Sequence, residues 1–259
     1  MKLPIYQVDA FASGLFKGNP AAVVPLQEWL SDESLQQIAM ENNLSETAFF
    51  IPEGEHFHIR WFTPKAEVRL CGHATLATAH VLFNELSFQG EILEFNRLSG
   101  TLTVKKVGDK LQLDFPADFA QEIEPIETFT EAFGAKPLKT LKGRTDYLLL
   151  FDSEETIRNL QPNIQLLLST KARGVMVTAK GNEVDFVSRF FAPAVGINED
   201  PVTGSAHTTL IPFWANRLGK NELEALQLSA RGGQLWCTLS GERVFIAGKA
   251  VTYLRGQIE

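Results

Sequence analysis

The stretch Val68-Arg69-Leu70-Cys71-Gly72-His73-Ala74-Thr75-Leu76-Ala77-Thr78-Ala79-His80-Val81-Leu82-Phe83 predicts a turn that leads into a buried helix. From Ala74 to Phe83 the apolar residues leave no continuous polar face, and a helix that is apolar nearly all round belongs inside a protein. The first turn differs, because Gly72 and His73 lie where backbone N–H groups have no intrahelical partners. The start of this buried helix is therefore a candidate anion site.

The same construction occurs a second time in the chain. Arg60-Trp61-Phe62-Thr63-Pro64 returns as Arg189-Phe190-Phe191-Ala192-Pro193, and Cys71-Gly72-His73-Ala74 corresponds to Thr203-Gly204-Ser205-Ala206. Further pairs keep one constant spacing: Leu93 with Leu226, Phe95 with Leu228, Gly100 with Gly233 and Leu102 with Leu235. A duplicated unit of this length is a domain rather than a solenoid repeat. We therefore predict two similar domains, residues 1–117 and 118–259.

Composition restricts the class of protein. With 44% hydrophobic and 21% charged residues, the chain is typical of a soluble globular protein. A net charge of −7 and the lack of a basic run argue against a nucleic-acid partner. No apolar run approaches the length that spans a membrane, and the N-terminus has no signal-peptide core. The two cysteines are too few for a disulfide framework, so we expect a cytoplasmic protein without a membrane partner.

Local patterns predict the remaining elements. A helix begins at Ser31-Asp32-Glu33 and ends at Asn42-Asn43, and Gly219 caps the second buried helix. Pro212 lies inside that second helix and indicates either a bend or a later start. Three further segments are predicted as a turn at Leu98-Ser99-Gly100, a linker over 117–127 and a single helix near 159–167.

Several familiar reactions lack their sequence motifs. The chain has no phosphate-binding Gly-x4-Gly-Lys loop, no dinucleotide fingerprint, no His-Glu-x-x-His and no Gly-x-Ser-x-Gly. His56 and His58 share one face of a strand, but no third metal ligand is indicated nearby. Ser205 and His207 are two residues apart on a helix and do not face each other, which argues against a nucleophile and base. We therefore predict no metal and no cofactor.

A polar set remains: Glu46, His73, Asp200 and Ser205. Each has an alternative interpretation. Glu46 precedes an apolar strand and either faces water or lies in an apolar pocket, His73 and Ser205 suit helix caps, and Asp200 suits a turn. If the two halves are related by a pseudo-twofold axis, both helix starts can hold a substrate carboxylate. The predicted substrate contacts are Gly72, Ala74, Thr203 and Gly204, at these two helix starts.

A set of short motifs runs in order along nearly the whole chain: Asp9-Ala10-Phe11 with Gly18-Asn19-Pro20-Ala21-Ala22-Val23, Leu44-Ser45-Glu46-Thr47-Ala48-Phe49, Arg60-Trp61-Phe62-Thr63-Pro64, Cys71-Gly72-His73-Ala74-Thr75, Asp200-Pro201-Val202-Thr203-Gly204-Ser205-Ala206-His207 and Ser229-Ala230-Arg231-Gly232-Gly233. Together these motifs are highly specific, and through them the sequence resembles the phenazine-biosynthesis PhzF-like isomerases.

This resemblance implies an α/β (α+β) diaminopimelate-epimerase-like fold, with two pseudo-symmetric domains that each wrap a curved mixed sheet around a central helix. It implies an active site between them, in which Glu46 is the general acid/base and His73, Asp200 and Ser205 match the other positions. The best characterised member isomerises trans-2,3-dihydro-3-hydroxyanthranilate without a cofactor, and members are commonly homodimers. Related racemases use a cysteine at each helix start, whereas this chain has Cys71 and Thr203.

We therefore predict a cofactor-independent isomerase of a small carboxylate-bearing metabolite that works by proton transfer. The alternatives are an amino-acid racemase or epimerase, and a small-molecule-binding protein without catalysis. A general acid must be partly protonated near working pH, whereas a free Glu titrates near 4.3. We accordingly expect Glu46 to have a raised pKa.

Overall fold

The computed structural model describes residues 2–97 and 100–259, so the first two residues of the predicted turn Leu98-Ser99-Gly100 lie outside the described residues. The chain divides into two compact units, Met1–Asp114 with Ala247–Glu259, and Phe115–Ile246. The C-terminal segment, which the sequence assigned to the second domain, thus belongs to the first unit. It does so because its strand pairs with the first strand of the chain, a contact between distant residues that periodicity does not reveal.

The first unit contains helices α1 (Asp32–Asn42) and α2 (Gly72–His80), and a π-helical turn (Val81–Glu85) continues α2. Its strands are β1 (Leu3–Ala10), β2 (Asn19–Pro25), β3 (Glu46–Glu53), β4 (His56–Phe62), β5 (Glu67–Val68), β6 (Ile92–Arg97), β7 (Gly100–Val107), β8 (Lys110–Pro116) and, after the strands of the second unit, β18 (Ala250–Ile258). The predicted ends of α1 are confirmed, because the Ser31 side chain accepts from Ser34 N and Asn43 adopts the left-handed conformation.

The strands of the first unit form a mixed sheet in the order β18, β1, β2, β3, β4, β6, β7, β8. The β2–β3 and β4–β6 pairs are parallel, and the other pairs in this order are antiparallel. Helix α2 packs against β1, β2, β3, β7 and β18, so the sheet curves around it. Every residue from His73 to Ala79 is buried, which confirms the predicted central helix.

The second unit contains helices α3 (Glu127–Phe133), α4 (Glu154–Asn159), α5 (Ile164–Ser169) and α6 (Gly204–Leu218), with a 3₁₀ turn at Pro193–Val195. Its strands are β9 (Gln121–Ile123), β10 (Lys139–Lys142), β11 (Tyr147–Leu150), β12 (Val175–Lys180), β13 (Phe186–Ala192), β14 (Ile197–Asp200), β15 (Glu222–Gln227), β16 (Gly233–Ser240) and β17 (Arg243–Gly248). None of the helices in the described part of the chain is long and apolar enough to cross a membrane.

The duplication read from the sequence is visible in the strand order of each unit. In the second unit the order is β9, β10, β11, β12, β13, β15, β16. The β11–β12 and β13–β15 pairs are parallel, at the positions that correspond to β2–β3 and β4–β6. The mixed α/β fold that the family resemblance implies is therefore confirmed.

Two local predictions for the second unit were wrong. The single helix expected near 159–167 is instead two short helices, because Pro162 interrupts the pattern and the Asn163 side chain caps a new start by accepting from Gln165 N and Leu166 N. The expected linker over 117–127 contains β9, which pairs with β10. Its polar composition reflects an exposed position, since Gln121 and Glu122 are both exposed.

Pro212 lies in the interior of α6, and the helix begins at Gly204 without delay. A proline has no N–H for the carbonyl one turn earlier, which here belongs to Thr208. The backbone N–H of Asp118 donates to that carbonyl at 3.0 Å, and the Thr209 hydroxyl donates to the Asp118 carboxylate at 3.0 Å. An external donor thus replaces the missing intrahelical hydrogen bond.

Candidate active site

The two buried helices begin with the same backbone arrangement. Cys71 and Thr203 are the N-caps of α2 and α6, both in extended conformation and neither making a side-chain cap hydrogen bond. Four residues later, the Thr75 hydroxyl donates to the Cys71 carbonyl at 2.6 Å, and His207 Nδ1–H donates to the Thr203 carbonyl at 2.8 Å. The N–H groups of the first turn point out of each helix as potential anion donors.

The repeated Arg-x-Phe-x-Pro motif braces the loop ahead of each helix. Arg60 makes two hydrogen bonds of 2.8 Å to the carboxylate of Glu67, and Arg189 bonds Glu199 in the same paired way at 2.7 and 3.0 Å. Glu67 and Glu199 each lie four residues before the N-cap residue of the helix that follows. The longer second loop carries two carboxylates, and the ion pair of Glu199 with Arg189 leaves Asp200 as the one beside the helix start.

Glu46, Cys71 and His73 form a buried cluster in the first unit. Glu46 Oε2 lies 3.2 Å from His73 Nε2, and Cys71 Sγ lies 3.5 Å from His73 Nδ1. The exposed fractions are 8% for Glu46 and 6% for each of the others, so the alternative of a solvated strand end does not hold for Glu46. The first residue of β3 and the first turn of α2 thus bring together a carboxylate, a thiol and an imidazole.

Asn19 fixes the other side of the imidazole ring. Its side-chain amide lies 3.2 Å from His73 Nδ1 and is fully buried. The preceding residue must be glycine, because Gly18 has φ +71° and a Cβ there would meet the Ala10 carbonyl oxygen at 2.3 Å. The sequence motif Gly18-Asn19-Pro20 therefore serves to hold His73 in place, a role that we did not predict.

The expectation of a raised pKa for Glu46 is wrong. Burial, the largest single influence, raises the pKa of this carboxyl, but the positive charge of His73 together with hydrogen bonds from His73 and Cys71 outweighs it and lowers the pKa below the usual range. Burial alone lowers the pKa of His73, but its neighbours Cys71 and Glu46 reverse the shift and raise it well above the usual value. The directions of these two pKa shifts favour a carboxylate paired with an imidazolium.

The Cys71 thiol is neutral in the resting site. Burial, and then the charge of Glu46, raise its pKa to about 11. Glu46 is consequently the anion that faces the imidazolium at neutral pH. The amide atom beside His73 Nδ1 is Asn19 Nδ2, at 3.2 Å. Because an imidazolium donates from both ring nitrogens, we assign the amide in the opposite orientation, with its carbonyl oxygen towards Nδ1.

The second unit places Asp200 beside the start of α6. The Thr203 hydroxyl donates to Asp200 Oδ2 at 2.5 Å, and both residues are buried. Ser205, which corresponds to His73 in the repeat, is exposed. His207 is fully buried, so the prediction that Ser205 and His207 do not face each other is confirmed. The four predicted residues thus form two pairs, one in each unit. Glu46 contacts His73 in the first unit, and Asp200 lies close to Ser205 in the sequence of the second unit.

Gln227 organises the second group and was missed by the sequence analysis. Its amide oxygen accepts from Thr203 N at 2.8 Å, while its amide nitrogen donates to the Asp200 carbonyl at 2.7 Å and to Thr203 Oγ1 at 3.1 Å. Ser229 adds a hydrogen bond to the Pro201 carbonyl at 2.7 Å. The sequence contained one indication of this role: Gln227 lies two residues before the motif that begins at Ser229.

The strand histidines do not form a metal cluster of their own. His56 lies 3.3 Å from Glu94, and the His58 ring packs edge-on against Trp29. Among residues 2–97 and 100–259, Glu46, Cys71 and His73 are the one group of three whose ligand atoms approach closely enough to share a metal ion, all within 4.8 Å.

Comparison with known proteins agrees with this geometry. The sequence profile of the family described as "Phenazine biosynthesis-like protein" matches residues 8–256. An uncharacterised isomerase of Pseudomonas aeruginosa is 54% identical over 100% of this chain and 99% of its own length. The crystal structure of a PhzF-family phenazine biosynthesis protein from Enterococcus faecalis covers 100% of both chains, with a TM-score of 0.98 and 47% identity.

A more distant likeness concerns the fold. A hydroxyproline epimerase from Agrobacterium vitis has a TM-score of 0.64 over 99% of this chain and 92% of its own, with 10% identity. At that identity the likeness shows a shared epimerase-like architecture and nothing about substrate. The family match and the full-length relatives are decisive for the assignment: the chain belongs to the PhzF-like family of isomerases.

Proposed function

We propose that this isomerase moves a proton between two carbons of a small carboxylate-bearing metabolite, with Glu46 as the acid/base and without a cofactor. The observation that carries the proposal is the buried contact of Glu46 Oε2 with His73 Nε2 at 3.2 Å. A carboxylate that is held beside an imidazolium, away from water, is a positioned base rather than a surface charge.

The lowered pKa of Glu46 assigns the order of events in this proposal. Glu46 begins as a carboxylate and takes a proton from a carbon of the substrate, whose electron pair then delocalises towards an adjacent unsaturated group. The resulting carboxylic acid returns that proton at a different carbon, so bonds are rearranged with no net gain or loss of electrons. The charge of His73 and the first-turn N–H groups of α2, those of Gly72 and Ala74, stabilise the negative charge that develops on the substrate.

The second unit has a proposed part in the same reaction. We propose Thr203 and Gly204, at the start of α6, as substrate contacts. The N–H of Gly204 is a potential donor to the substrate, whereas the N–H of Thr203 already donates to Gln227. The Asp200 carboxylate accepts a hydrogen bond from Thr203 and can act as a second proton donor or acceptor. The exposed Ser205 has a hydroxyl group that can hydrogen-bond to a ligand. We propose Asp200 and Ser205 as further catalytic residues on these grounds.

The test uses small carboxylic acids with an acidic C–H bond, incubated with enzyme in deuterated water and followed by NMR. A substrate should show a shifted double bond with less than full deuterium incorporation, because a single sheltered carboxyl group returns part of the original proton. Glu46→Gln should reduce the rate by about 100-fold or more. Glu53→Gln, at the exposed end of the same strand, is the matched control and should keep the rate.

An amino-acid epimerase is the second candidate, and the contact of Cys71 Sγ with the His73 ring at 3.5 Å favours it. That mechanism would invert an unmoved carbon and label it fully with solvent deuterium, since two opposed groups give and take different protons. Thr203 stands where the second thiol would be required, which argues against a symmetric two-thiol reaction. Tight binding of a carboxylate, with neither deuterium exchange nor rearrangement, would indicate a non-catalytic binding protein. The catalytic role proposed for Glu46 would then be wrong.

We further propose a cytoplasmic homodimer. The support is the resemblance to a family of common homodimers and a composition without a disulfide framework. Sedimentation of the purified full chain at micromolar concentration tests the assembly. A single species with the mass of one chain, 28.8 kDa, would contradict it.

A further inference from the structure

We propose that the side chains of Glu46, Cys71 and His73 form a site for a Zn²⁺-like transition-metal ion, and that the bound ion inhibits the enzyme. The binding part of this inference stands by itself. The inhibitory part rests on the proposed function, because it requires Glu46 to be the group that moves the proton.

The ligand chemistry favours a zinc-like ion over magnesium or calcium. A thiolate sulfur, an imidazole nitrogen and a carboxylate oxygen together suit Zn²⁺, whereas Mg²⁺ and Ca²⁺ take oxygen ligands. Three protein ligands leave the fourth tetrahedral position for water or another small molecule. The residual exposure of 6 to 8% at each of these residues leaves the cluster a route to solvent.

The distances are close to those of a tetrahedral site. Bond lengths of about 2.0–2.3 Å around zinc place its ligand atoms roughly 3.3–3.7 Å apart. Glu46 Oε2 lies 3.2 Å from His73 Nε2, and Cys71 Sγ lies 4.0 Å from the same nitrogen. All three ligand atoms lie within 4.8 Å of one another, and Cys71 Sγ, which is 3.5 Å from Nδ1, has to move towards Nε2 to complete the tetrahedron. Glu46 Oε2 is buried and faces His73 Nε2, so the loss of the Nε2 proton on metal binding leaves a lone pair of each atom directed into the cluster.

Charge balance supports occupation by a dication. With Glu46 as a carboxylate, Cys71 as a thiolate and His73 as a neutral imidazole, the three side chains carry two negative charges, which one Zn²⁺ ion cancels. Metal binding releases to solvent the protons that these ligands held. The buried cluster therefore accepts a dication without acquiring an uncompensated charge.

Asn19 supports the histidine in the orientation that a metal requires. With the metal on Nε2, the ring carries its hydrogen on Nδ1, and metal-bound histidines usually donate that hydrogen to an oxygen. The Asn19 amide lies 3.2 Å from Nδ1 and can accept it through its carbonyl oxygen. The metal then occupies the Glu46 lone pair that the proposed proton transfer uses, so occupation and turnover exclude each other.

The binding test is a Co²⁺ titration of the full chain, freed of metals by a chelator and carrying no histidine tag. We expect about one Co²⁺ per chain, visible bands of tetrahedral cobalt and a thiolate-to-cobalt charge-transfer band that Zn²⁺ abolishes. Cys71→Ser should remove the charge-transfer band. Cys237→Ser is the matched control, since Cys237 is the other buried cysteine, and it should keep the band. Asn19→Ala should weaken binding by about 10–100-fold.

Two outcomes overturn the site: no saturable Co²⁺ binding, or a charge-transfer band that survives in Cys71→Ser. Thermal unfolding of each variant shows that it is folded, and Glu46→Gln provides a second variant that should weaken binding even if Cys71→Ser is unstable. These spectra need no substrate, so they remain valid if the proposed isomerisation fails. Once a substrate is known, Zn²⁺ should stop turnover of the metal-free enzyme. Unaltered turnover at saturating Zn²⁺ with intact binding would refute the inhibitory part alone.

Discussion

Acidification should destabilise this protein through one histidine, His207. Its ring is 0% exposed, Nδ1–H donates to the Thr203 carbonyl at 2.8 Å, and buried Nε2 has no hydrogen-bond partner among the described residues. The Phe186 ring lies 5.9 Å away, so the surroundings offer no counter-charge from that side. Burial lowers the pKa of His207 from 6.5 to about 4.

The sign follows from proton linkage. Between pH 6.5 and pH 4 the unfolded chain binds a proton at His207 and the folded chain does not, so the free energy of unfolding falls as the pH falls. Integrated from pH 7 to pH 4, this single group removes about 3 kcal/mol of stability. That is a large fraction of the stability of an ordinary protein.

The assay is urea unfolding at closely spaced pH values, followed by tryptophan fluorescence, to which the buried Trp61 and Trp214 contribute. His207→Asn is the matched variant, because its amide can still donate to the Thr203 carbonyl but does not titrate in this range. Its stability at pH 7 should be lower by about 1–3 kcal/mol from the lost ring. Between pH 7 and pH 4, however, the wild-type protein should lose about 3 kcal/mol more than the variant. Parallel pH profiles for the two proteins would refute the argument.

Three further predictions concern the site and its supports. Cys71→Ser should retain most isomerase activity when measured without added metal, since Glu46 carries the proton; loss of activity in a folded variant would favour the thiol mechanism. Arg189→Lys should lower the free energy of unfolding by about 2–4 kcal/mol, because lysine cannot reproduce the paired bonds to Glu199 together with those to two backbone carbonyls. Arg158→Lys, at an exposed arginine that pairs with the buried carboxylate of Glu154 alone, should change the free energy of unfolding by less than about 1 kcal/mol in the same denaturation assay. An equal loss in both variants would contradict the role assigned to Arg189. Exhaustive chelation and desalting should leave turnover intact, and restoration of lost activity by a divalent ion would show that the cluster needs its metal.

Features with local causes were predictable from the sequence. Helix α1 carries both its caps in its own sequence, at Ser31 and Asn43, and the central helix α2 is apolar all round. The repeat supplied the correspondence of Cys71 with Thr203, and both are N-caps. The position of a helix start depends on a few neighbouring residues, which is why these predictions hold.

Features that depend on distances between remote residues were not predictable. The charge state of Glu46 is decided by His73, 27 positions later in the chain, and no spacing rule gives their 3.2 Å contact. The role of Gln227 requires its amide to reach the backbone of Asp200 and Thr203. Pro212 looked like an interruption because the donor that accommodates it, the N–H of Asp118, is remote in sequence.

The strand β18 has a consequence for how the protein is made. Strand β1 pairs with β2 on one side and with β18 on the other, so the first unit needs residues from both ends of the chain. A ribosome releases the N-terminal segment long before it translates residues 250–258, and the first unit stays incomplete during that time. The second unit, whose residues are contiguous, can finish folding earlier even though its synthesis starts later. The sheet of the first unit should therefore be completed only after the whole of the second unit has been translated.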